Sequence, residues 1–312
     1  MASGTAAGPA MGIVGLGKMG SGIARRLHRA GISVIAFDPA ADARANVEGE
    51  GVETVGDVQA LVSRLDRPRM VWLMVPAGEA TEQVSTSMAG LLADGDILID
   101  GGNSDYRESM RRAARLAERG ISFLDVGTSG GVYGEAEGYC LMAGGDAAAV
   151  STMSGIFSAL AASGGDGWLH VGPSGAGHFV KMIHNGIEYG MMQAMAEGFA
   201  VLDRKHEFDI DLARVAELWR HGSVVRSWLL DLVADTLAQD AALQDIAPFV
   251  SDSGEGRWTV REAIDLNVSA PVITLSLLQR IRSRDTESYA DRMLSAMRAA
   301  FGGHAVRRPA DD

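Results

Sequence analysis

The chain holds one cysteine, Cys140, in 312 residues. No internal disulfide can form, and that usage fits a reducing, cytoplasmic setting. Cys140 lies in the apolar run Tyr139-Cys140-Leu141-Met142-Ala143 and is expected to be a buried structural thiol rather than a nucleophile. No apolar run reaches the roughly 20 residues a bilayer-spanning helix needs. Residues 1–10 have neither a basic segment nor a long apolar core, so they read as a flexible extension rather than a signal peptide. Basic residues are also in short supply. There are 28 Lys and Arg against 40 Asp and Glu, a net charge of -12, which argues against nucleic acid or an anionic membrane as partner. An anionic substrate would need cations gathered locally against that field.

Glycine is plentiful, and its placement is informative. The apolar stretch Gly12-Ile13-Val14 runs into Gly15-Leu16-Gly17-Lys18-Met19-Gly20 and then into a helical pattern over 23–29. In this Gly-x-Gly-x-x-Gly order, Gly15 permits a tight turn and Gly17 lets a pyrophosphate approach the backbone. Gly20 brings the helix close to the strand. The free N–H groups and the positive dipole end of that helix favour phosphate. The alternative is a glycine-rich turn in some other α/β protein. The strand before and the helix after favour dinucleotide binding, with Lys18, Met19, Met74 and Val75 as further cofactor contacts.

About twenty residues further on, Ser33-Val34-Ile35-Ala36-Phe37 ends at Asp38. A carboxylate there accepts hydrogen bonds from ribose hydroxyls and repels a 2′-phosphate. NAD is therefore expected over NADP, with Arg44 lying further along on the next helix. The alternative role for Asp38 is capping a helix that starts near Asp42.

Short apolar strands are expected at 12–14, 34–37, 70–75, 97–100, 122–125, 138–143 and 168–171. The helical patterns between them include 80–92 and 105–119. This alternation reads as a parallel, doubly wound sheet. After Gly172-Pro173-Ser174-Gly175 the pattern turns helical, beginning with a long helix from Ala176 to about Leu202. Further helices are expected at 212–220, 225–239, 260–267, 272–284 and 289–300. The expected fold class is α/β, a Rossmann-type doubly wound sheet followed by an all-helical domain. The expected domains are a dinucleotide-binding domain over 11–173 and a helical substrate and oligomerisation domain over 174–312.

On the long helix, Lys181, His184, Asn185 and Glu188 fall at i, i+3, i+4 and i+7, so they share one face. One reading is a solvated polar stripe. A metal shared by His184 and Glu188 lacks a second histidine-rich group to support it, and none is expected. The third reading is acid–base chemistry, with a lysine whose pKa falls on desolvation and a carboxylate two turns away. Asn103 and the Ser129-Gly130-Gly131 turn follow predicted strands, where an open α/β sheet places its ligands. Turn chemistry alone also explains those residues.

The stretch Gly177-His178-Phe179-Val180-Lys181-Met182-Ile183-His184-Asn185-Gly186-Ile187-Glu188-Tyr189-Gly190 closely resembles the decarboxylating 6-phosphogluconate dehydrogenases. So do Gly101-Gly102-Asn103, Ser129-Gly130-Gly131, Gly256-Arg257-Trp258-Thr259 and the tail from Arg298 to His304. The resemblance spans about 11–304 and is to the short branch of the family, which often uses NAD. It implies oxidation and decarboxylation of 6-phosphogluconate. In it Lys181 is general base and then acid, and Glu188 protonates the enediol carbon. Asn103, Ser129, Gly130, Gly131, His184 and Asn185 position the sugar acid. Tyr189 and Arg280 reach its phosphate, and Arg298 and His304 enter the site of a partner subunit in a homodimer or homotetramer. No metal is needed, because the lysine ammonium polarises the ketone.

Two departures stand out. Ser253-Gly254-Glu255 replaces the Lys-Gly-Thr run that helps longer relatives hold the phosphate, leaving Arg280, Arg298 and Arg257 as candidate cations. Pro76 stands where some relatives have lysine. Two further functions remain open. One is a related β-hydroxyacid dehydrogenase acting on another, non-phosphorylated acid. The other is a non-catalytic NAD-binding regulatory protein, against which the intact Lys181, Asn185 and Glu188 argue.

Overall fold

The computed structural model describes residues 10–307, so the expectation for residues 1–9 lies outside the described residues. The chain divides into two compact units, up to Gly186 and from Ile187 onward.

In the first unit the elements are β1 (Met11–Val14), α1 (Lys18–Arg29), β2 (Val34–Phe37), α2 (Ala41–Glu48), β3 (Glu53–Thr54), α3 (Val58–Ser63), β4 (Met70–Leu73), α4 (Glu79–Leu91), β5 (Ile97–Asp100) and α5 (Tyr106–Ala117). They continue as β6 (Ser122–Ser129), α6 (Gly134–Glu137), β7 (Cys140–Gly144), α7 (Ala147–Thr152), α8 (Ser154–Leu160) and β8 (Trp168–Gly172). The long helix α9 (Ala176–Arg204) runs through the division between the units.

The strands form one sheet in the order β3-β2-β1-β4-β5-β6-β7-β8. Its doubly wound part is parallel, as the strand–helix alternation predicts. Successive side chains point to opposite faces, and helices cover both. Ile13, Met70, Trp72 and Ile99 pack with Ile23, Leu27, Phe157 and Leu160. Val14, Val71, Leu73 and Leu98 pack with Leu61, Met88 and Leu116 on the other side. Burial on both faces explains why these strands read as continuous apolar runs.

The sheet departs from the expected pattern at β7, which runs antiparallel to β6. The link between them, 130–139, is shorter than the dozen or so residues a parallel crossover requires. Strand β6 also runs on to Ser129, so Gly127, Thr128 and Ser129 belong to the strand rather than to a loop. The two-residue edge strand β3 carries too little pattern to be read from sequence.

Cys140 is exposed, not buried. It opens β7 with its side chain on the face opposite Leu141, and it stands in register with Ser129. The apolar run is real, but Cys140 stands at the exposed start of the strand while Leu141 to Gly144 are buried.

The second unit continues from α9 into α10 (Leu212–Arg220), α11 (Trp228–Gln239), α12 (Glu255–Asp265), α13 (Pro271–Arg282) and α14 (Tyr289–Gly302). A small core gathers Ala216, Ala234 and Leu237 against Phe199, Leu212 and Val233. Helix α11 starts at Trp228 rather than near 225, because the Ser227 side chain accepts a hydrogen bond from the Leu230 N–H at 3.2 Å. Helix α12 starts at Glu255 rather than near 260. Gly254, with φ of 105°, turns the chain into it. Among the described residues no helix is long and apolar enough to cross a membrane.

Candidate active site

The glycine-rich turn is built as its spacing requires. Gly15 has φ of +98°, and a Cβ there would lie 2.4 Å from the Met74 carbonyl oxygen. A Cβ on Gly20 would lie 2.0 Å from the Gly15 carbonyl oxygen. Both positions therefore exclude any side chain. Gly17 differs, because a Cβ there meets nothing within 4 Å. It is exposed, it is the N-cap of α1, and no side chain caps that helix. An open approach to uncapped N–H groups is what a pyrophosphate needs, so the residues fit a dinucleotide. Lys18 is exposed at the head of α1, and Met19, Met74 and Val75 are half-buried.

Asp38 ties this turn to the end of β2. Its Oδ2 accepts from the Leu16 N–H at 2.7 Å and its Oδ1 from the Ala40 N–H at 2.8 Å. Helix α2 has Ala40 as N-cap and no side-chain cap, so Asp38 does not cap it. Each carboxylate oxygen keeps a further lone pair for a donor such as a ribose hydroxyl. Arg44 is on α2 as expected, but it folds back. Its Nη1 donates to the Asp38 carbonyl at 2.6 Å.

Strands β5 and β6 pair in parallel with Asp100 opposite Asp125, and both carboxylates are buried. Asp100 Oδ1 accepts from the Gly102 N–H at 3.1 Å and Oδ2 from the Ser104 hydroxyl at 2.7 Å. Asn103, between those two residues, stands exposed at the tip. Asp125 holds the start of α9. Its Oδ1 accepts from the Gly175 N–H at 2.6 Å and its Oδ2 from the His178 N–H at 2.9 Å. Burial pushes the Asp125 carboxyl up, against the opposing pull of His178 and the two backbone N–H groups.

Lys181 is buried on α9 above β6. A Cβ on Gly127 would lie 2.4 Å from the Lys181 Cβ, and one on Gly177 would lie 2.1 Å from the Asp125 carbonyl oxygen. These glycines let helix and strand close on each other at the lysine. One turn later, His184 Nε2 lies 3.4 Å from the Ser129 hydroxyl and its Nδ1 lies 3.0 Å from the Asn185 amide oxygen. Gly130 and Gly131, with φ of 134° and 52°, make the turn after β6. The first unit thus gathers Lys181, His184, Asn185 and Ser129.

The second unit carries its own cluster. Tyr189 is buried against Gly256, where a Cβ would lie 2.5 Å from the ring. The Arg280 guanidinium stacks 3.6 Å from the ring centroid and donates to the Ser251 carbonyl at 2.9 Å. The Ser253 N–H points at the Tyr189 hydroxyl, 3.4 Å away. Glu255 is buried beside the Ser253 hydroxyl, and its Oε1 finds no hydrogen-bond donor among the described residues. Arg257, a candidate phosphate cation on sequence grounds, is already engaged. Its guanidinium forks onto Asp252 at 2.8 and 3.0 Å, and Arg284 adds a bond of 2.8 Å. Those hydrogen bonds, Arg257 first, hold the Asp252 carboxyl below its ordinary value. Glu188 is half-buried on α9, while Arg298 on α14 and His304 beyond it are exposed.

Both parts of the chain match models of one known family. A profile of the NAD binding domain of 6-phosphogluconate dehydrogenase matches 10–172, and one of the 6-phosphogluconate dehydrogenase C-terminal domain matches 177–292. The chain belongs to the 6-phosphogluconate dehydrogenase family. It is 41% identical over 302 residues to the NAD(+)-dependent, decarboxylating 6-phosphogluconate dehydrogenase of Haloferax volcanii, covering 96% of this chain and 99% of that one. A Bacillus subtilis (strain 168) protein provisionally named 6-phosphogluconate dehydrogenase YqeC is 42% identical over 298 residues, with the same coverage. Among solved structures, Plasmodium falciparum 6-phosphogluconate dehydrogenase superposes with a TM-score of 0.82 at 27% identity, over 97% of this chain and 67% of that one. The chain thus spans about two thirds of that structure's chain and nearly all of the two relatives above.

Sequence reasoning missed three buried supports: the Asp125 carboxylate at the start of α9, the Ser109 hydroxyl 2.7 Å from His178 Nδ1, and Arg112 on α5, which donates to Glu82 and Glu108. Asp125 offered a signal, a lone carboxylate inside an apolar strand. The other two involve residues that look like solvent-facing positions of an amphipathic helix.

Proposed function

We propose that this chain oxidises and decarboxylates 6-phosphogluconate to ribulose 5-phosphate and carbon dioxide, with reduction of NAD. The observation that carries this reading is the burial of Lys181 beside the Ser129–His184–Asn185 group, in a unit that also carries an open glycine-rich turn. Gly15, Gly17, Lys18, Met19, Gly20, Asp38, Met74, Val75 and Asn103 would hold NAD, and the bound cofactor supplies a hydride acceptor for C3. Lys181, entering neutral, takes the 3-hydroxyl proton. As an ammonium it then hydrogen-bonds the C3 oxygen and stabilises the charge that develops as carbon dioxide leaves. Glu188 protonates the enediol carbon that becomes C1 of the product. Asn103, Ser129, Gly130, Gly131, His184 and Asn185 orient the sugar acid, and Tyr189 and Arg280 receive its phosphate.

Residues 11–173 serve in this reading as the dinucleotide-binding domain and 174–312 as the helical substrate and oligomerisation domain. The chain acts in the cytoplasm as a homodimer or homotetramer, with Arg298 and His304 completing a neighbour's site. The exposed apolar residues of α13 and α14 support assembly, since surfaces of that kind mark interfaces.

One observation favours a second reading. The buried Glu255, with an oxygen lacking a donor, stands where a phosphate-binding run is expected, and a carboxylate repels phosphate. A non-phosphorylated β-hydroxy acid would avoid that conflict. Side-by-side saturation curves for 6-phosphogluconate, gluconate and 3-hydroxyisobutyrate, each with NAD and with NADP, decide between them. The first reading predicts saturation by the phosphorylated acid at the lowest concentration, with NAD. Equal or better saturation by gluconate overturns it in favour of the second.

A further inference from the structure

Helix α5 buries two polar residues one turn apart, Ser109 and Arg112, both without solvent access to speak of. A buried polar side chain is costly unless it is paired, so their partners are informative. Arg112 Nε donates to Glu82 at 3.0 Å and Nη2 to Glu108 at 2.8 Å; Nη1, which makes no hydrogen bond among the described residues, forms a buried ion pair with Asp100, 3.5 Å from its Oδ2. Asp100 is the residue whose two oxygens hold Gly102 and Ser104 on either side of Asn103. Glu82 lies on α4, which follows the Met74–Val75 segment, and the adjacent Thr81 hydroxyl donates to the Pro76 carbonyl at 2.8 Å. Burial works to raise Glu82, but the Arg115 and Arg112 hydrogen bonds outweigh it and hold its carboxyl below the ordinary value. Arg112 is thus surrounded by anions.

Ser109, on the same face of α5, has a different partner. Its hydroxyl shares a hydrogen bond of 2.7 Å with His178 Nδ1. His178 is buried in the first turns of α9, three residues before Lys181, with its own N–H held by Asp125. Tyr106 on α5 meets Phe179 edge-on with ring centroids 5.2 Å apart. A Cβ on Gly175 would strike Met110 at 2.6 Å. One helix therefore grips both the Asn103 turn and the segment that carries Lys181.

We propose that Arg112 and Ser109 are positioning residues of the reaction: Arg112 fixes Asn103 through Asp100, and Ser109 fixes Lys181 through His178. Both act through a neighbouring residue and not on the reacting atoms. The guanidinium supplies several donors in a rigid fork, which a lysine ammonium does not reproduce. The proposal rests on the catalytic role given above to Lys181 and the binding role given to Asn103.

The test uses the full-length protein and three variants, Arg112→Lys, Ser104→Ala and Ser109→Ala, with Ser109→Thr as the conservative control. Melting temperature is measured first, then kcat and KM well below the melting range. Amide hydrogen exchange is followed over 102–104 and 178–181. Misplacing a reacting group by an ångström costs up to about 100-fold in rate. Arg112→Lys is expected to lose roughly 10- to 100-fold in kcat/KM, with faster exchange at 102–104, and Ser104→Ala roughly 3- to 10-fold. Ser109→Ala is expected to lower kcat about tenfold with KM nearly unchanged and faster exchange at 178–181, and Ser109→Thr to recover most of that loss.

Wild-type kinetics in all three variants overturn the proposal. So does a lowered melting temperature with wild-type kinetics, which is what mere packing gives. If Arg112→Lys does not fold, the two serine variants decide. If the wild type does not turn over the sugar acid, the functional reading fails and exchange decides. Faster exchange at those two segments supports the brace, and unchanged exchange overturns it.

Discussion

The two units of this chain satisfy their apolar residues differently. In the first, both faces of the sheet are covered, and Trp72, Leu73, Ile13 and Met88 are fully buried. In the second, α13 exposes Val272, Leu275 and Leu278, and α14 exposes Met293, Leu294 and Met297. The first has the burial of a self-contained domain, whereas the second offers a surface of the kind that associating proteins cover. The polar groups do not follow that division. Buried carboxylates of the first unit hold backbone turns and a helix start, yet Arg112 Nη1 and His178 Nε2 there, like Glu255 Oε1 in the second unit, make no hydrogen bond among the described residues. The difference marks the second unit as the one whose exposed apolar face a partner would cover.

The largest effect separates chemistry from binding within the first unit. Lys181→Met should lower kcat by about 1,000-fold or more, with NAD affinity, read by fluorescence titration, within twofold or so of wild type. Near-normal turnover would remove the lysine from its role. Next, charge on the exposed face of the second unit should break the comparison open. Leu275→Glu with Leu278→Glu is expected to yield a smaller species in analytical ultracentrifugation and to lower activity roughly tenfold or more, while NAD still binds. An unchanged sedimentation coefficient would show that this face is not an interface.

A smaller effect is expected at Asp38. Asp38→Ala removes the repulsion of a 2′-phosphate and the acceptor for the Leu16 N–H. The ratio of NAD to NADP efficiency should fall about tenfold, with a modest loss of stability. The smallest belongs to Asp252, whose carboxyl is held below its ordinary 3.8 by Arg257 and Arg284. A lowered carboxyl pKa adds stability that is full above 3.8 and is lost as the pH falls through the lowered value. Arg257→Ala should therefore melt slightly below wild type at neutral pH, and the gap should close in acid. A gap that persists in acid would assign the effect to packing.

Much of this was legible in the sequence because it rests on local rules. The glycine turn, the strands at 34–37 and 97–100, and the spacing of Lys181, His184, Asn185 and Glu188 follow from backbone sterics and helical period. Direction and burial at β7 were not legible. They depend on the length of one connection and on which face of the strand Cys140 takes. The engagement of Arg257 by Asp252 was hidden for a related reason, since the start of α12 at Gly254 sets that pair and falls where the apolar period had not yet begun. The Arg112 network was least visible, because a buried arginine and a surface arginine look alike until Glu82 and Asp100 are brought to it from other elements.

The most direct test of the division between a complete unit and one completed by a second copy is a mixing experiment. The Lys181→Met chain and a chain ending at Arg298, each nearly inactive alone, are unfolded together, refolded and assayed for NAD reduction with 6-phosphogluconate. If tails complete neighbouring sites, random pairing into dimers gives half mixed dimers with one whole site each, and activity should recover to about a quarter of wild type. No recovery, with mixed dimers present by mass spectrometry, would mean that each chain supplies its own site.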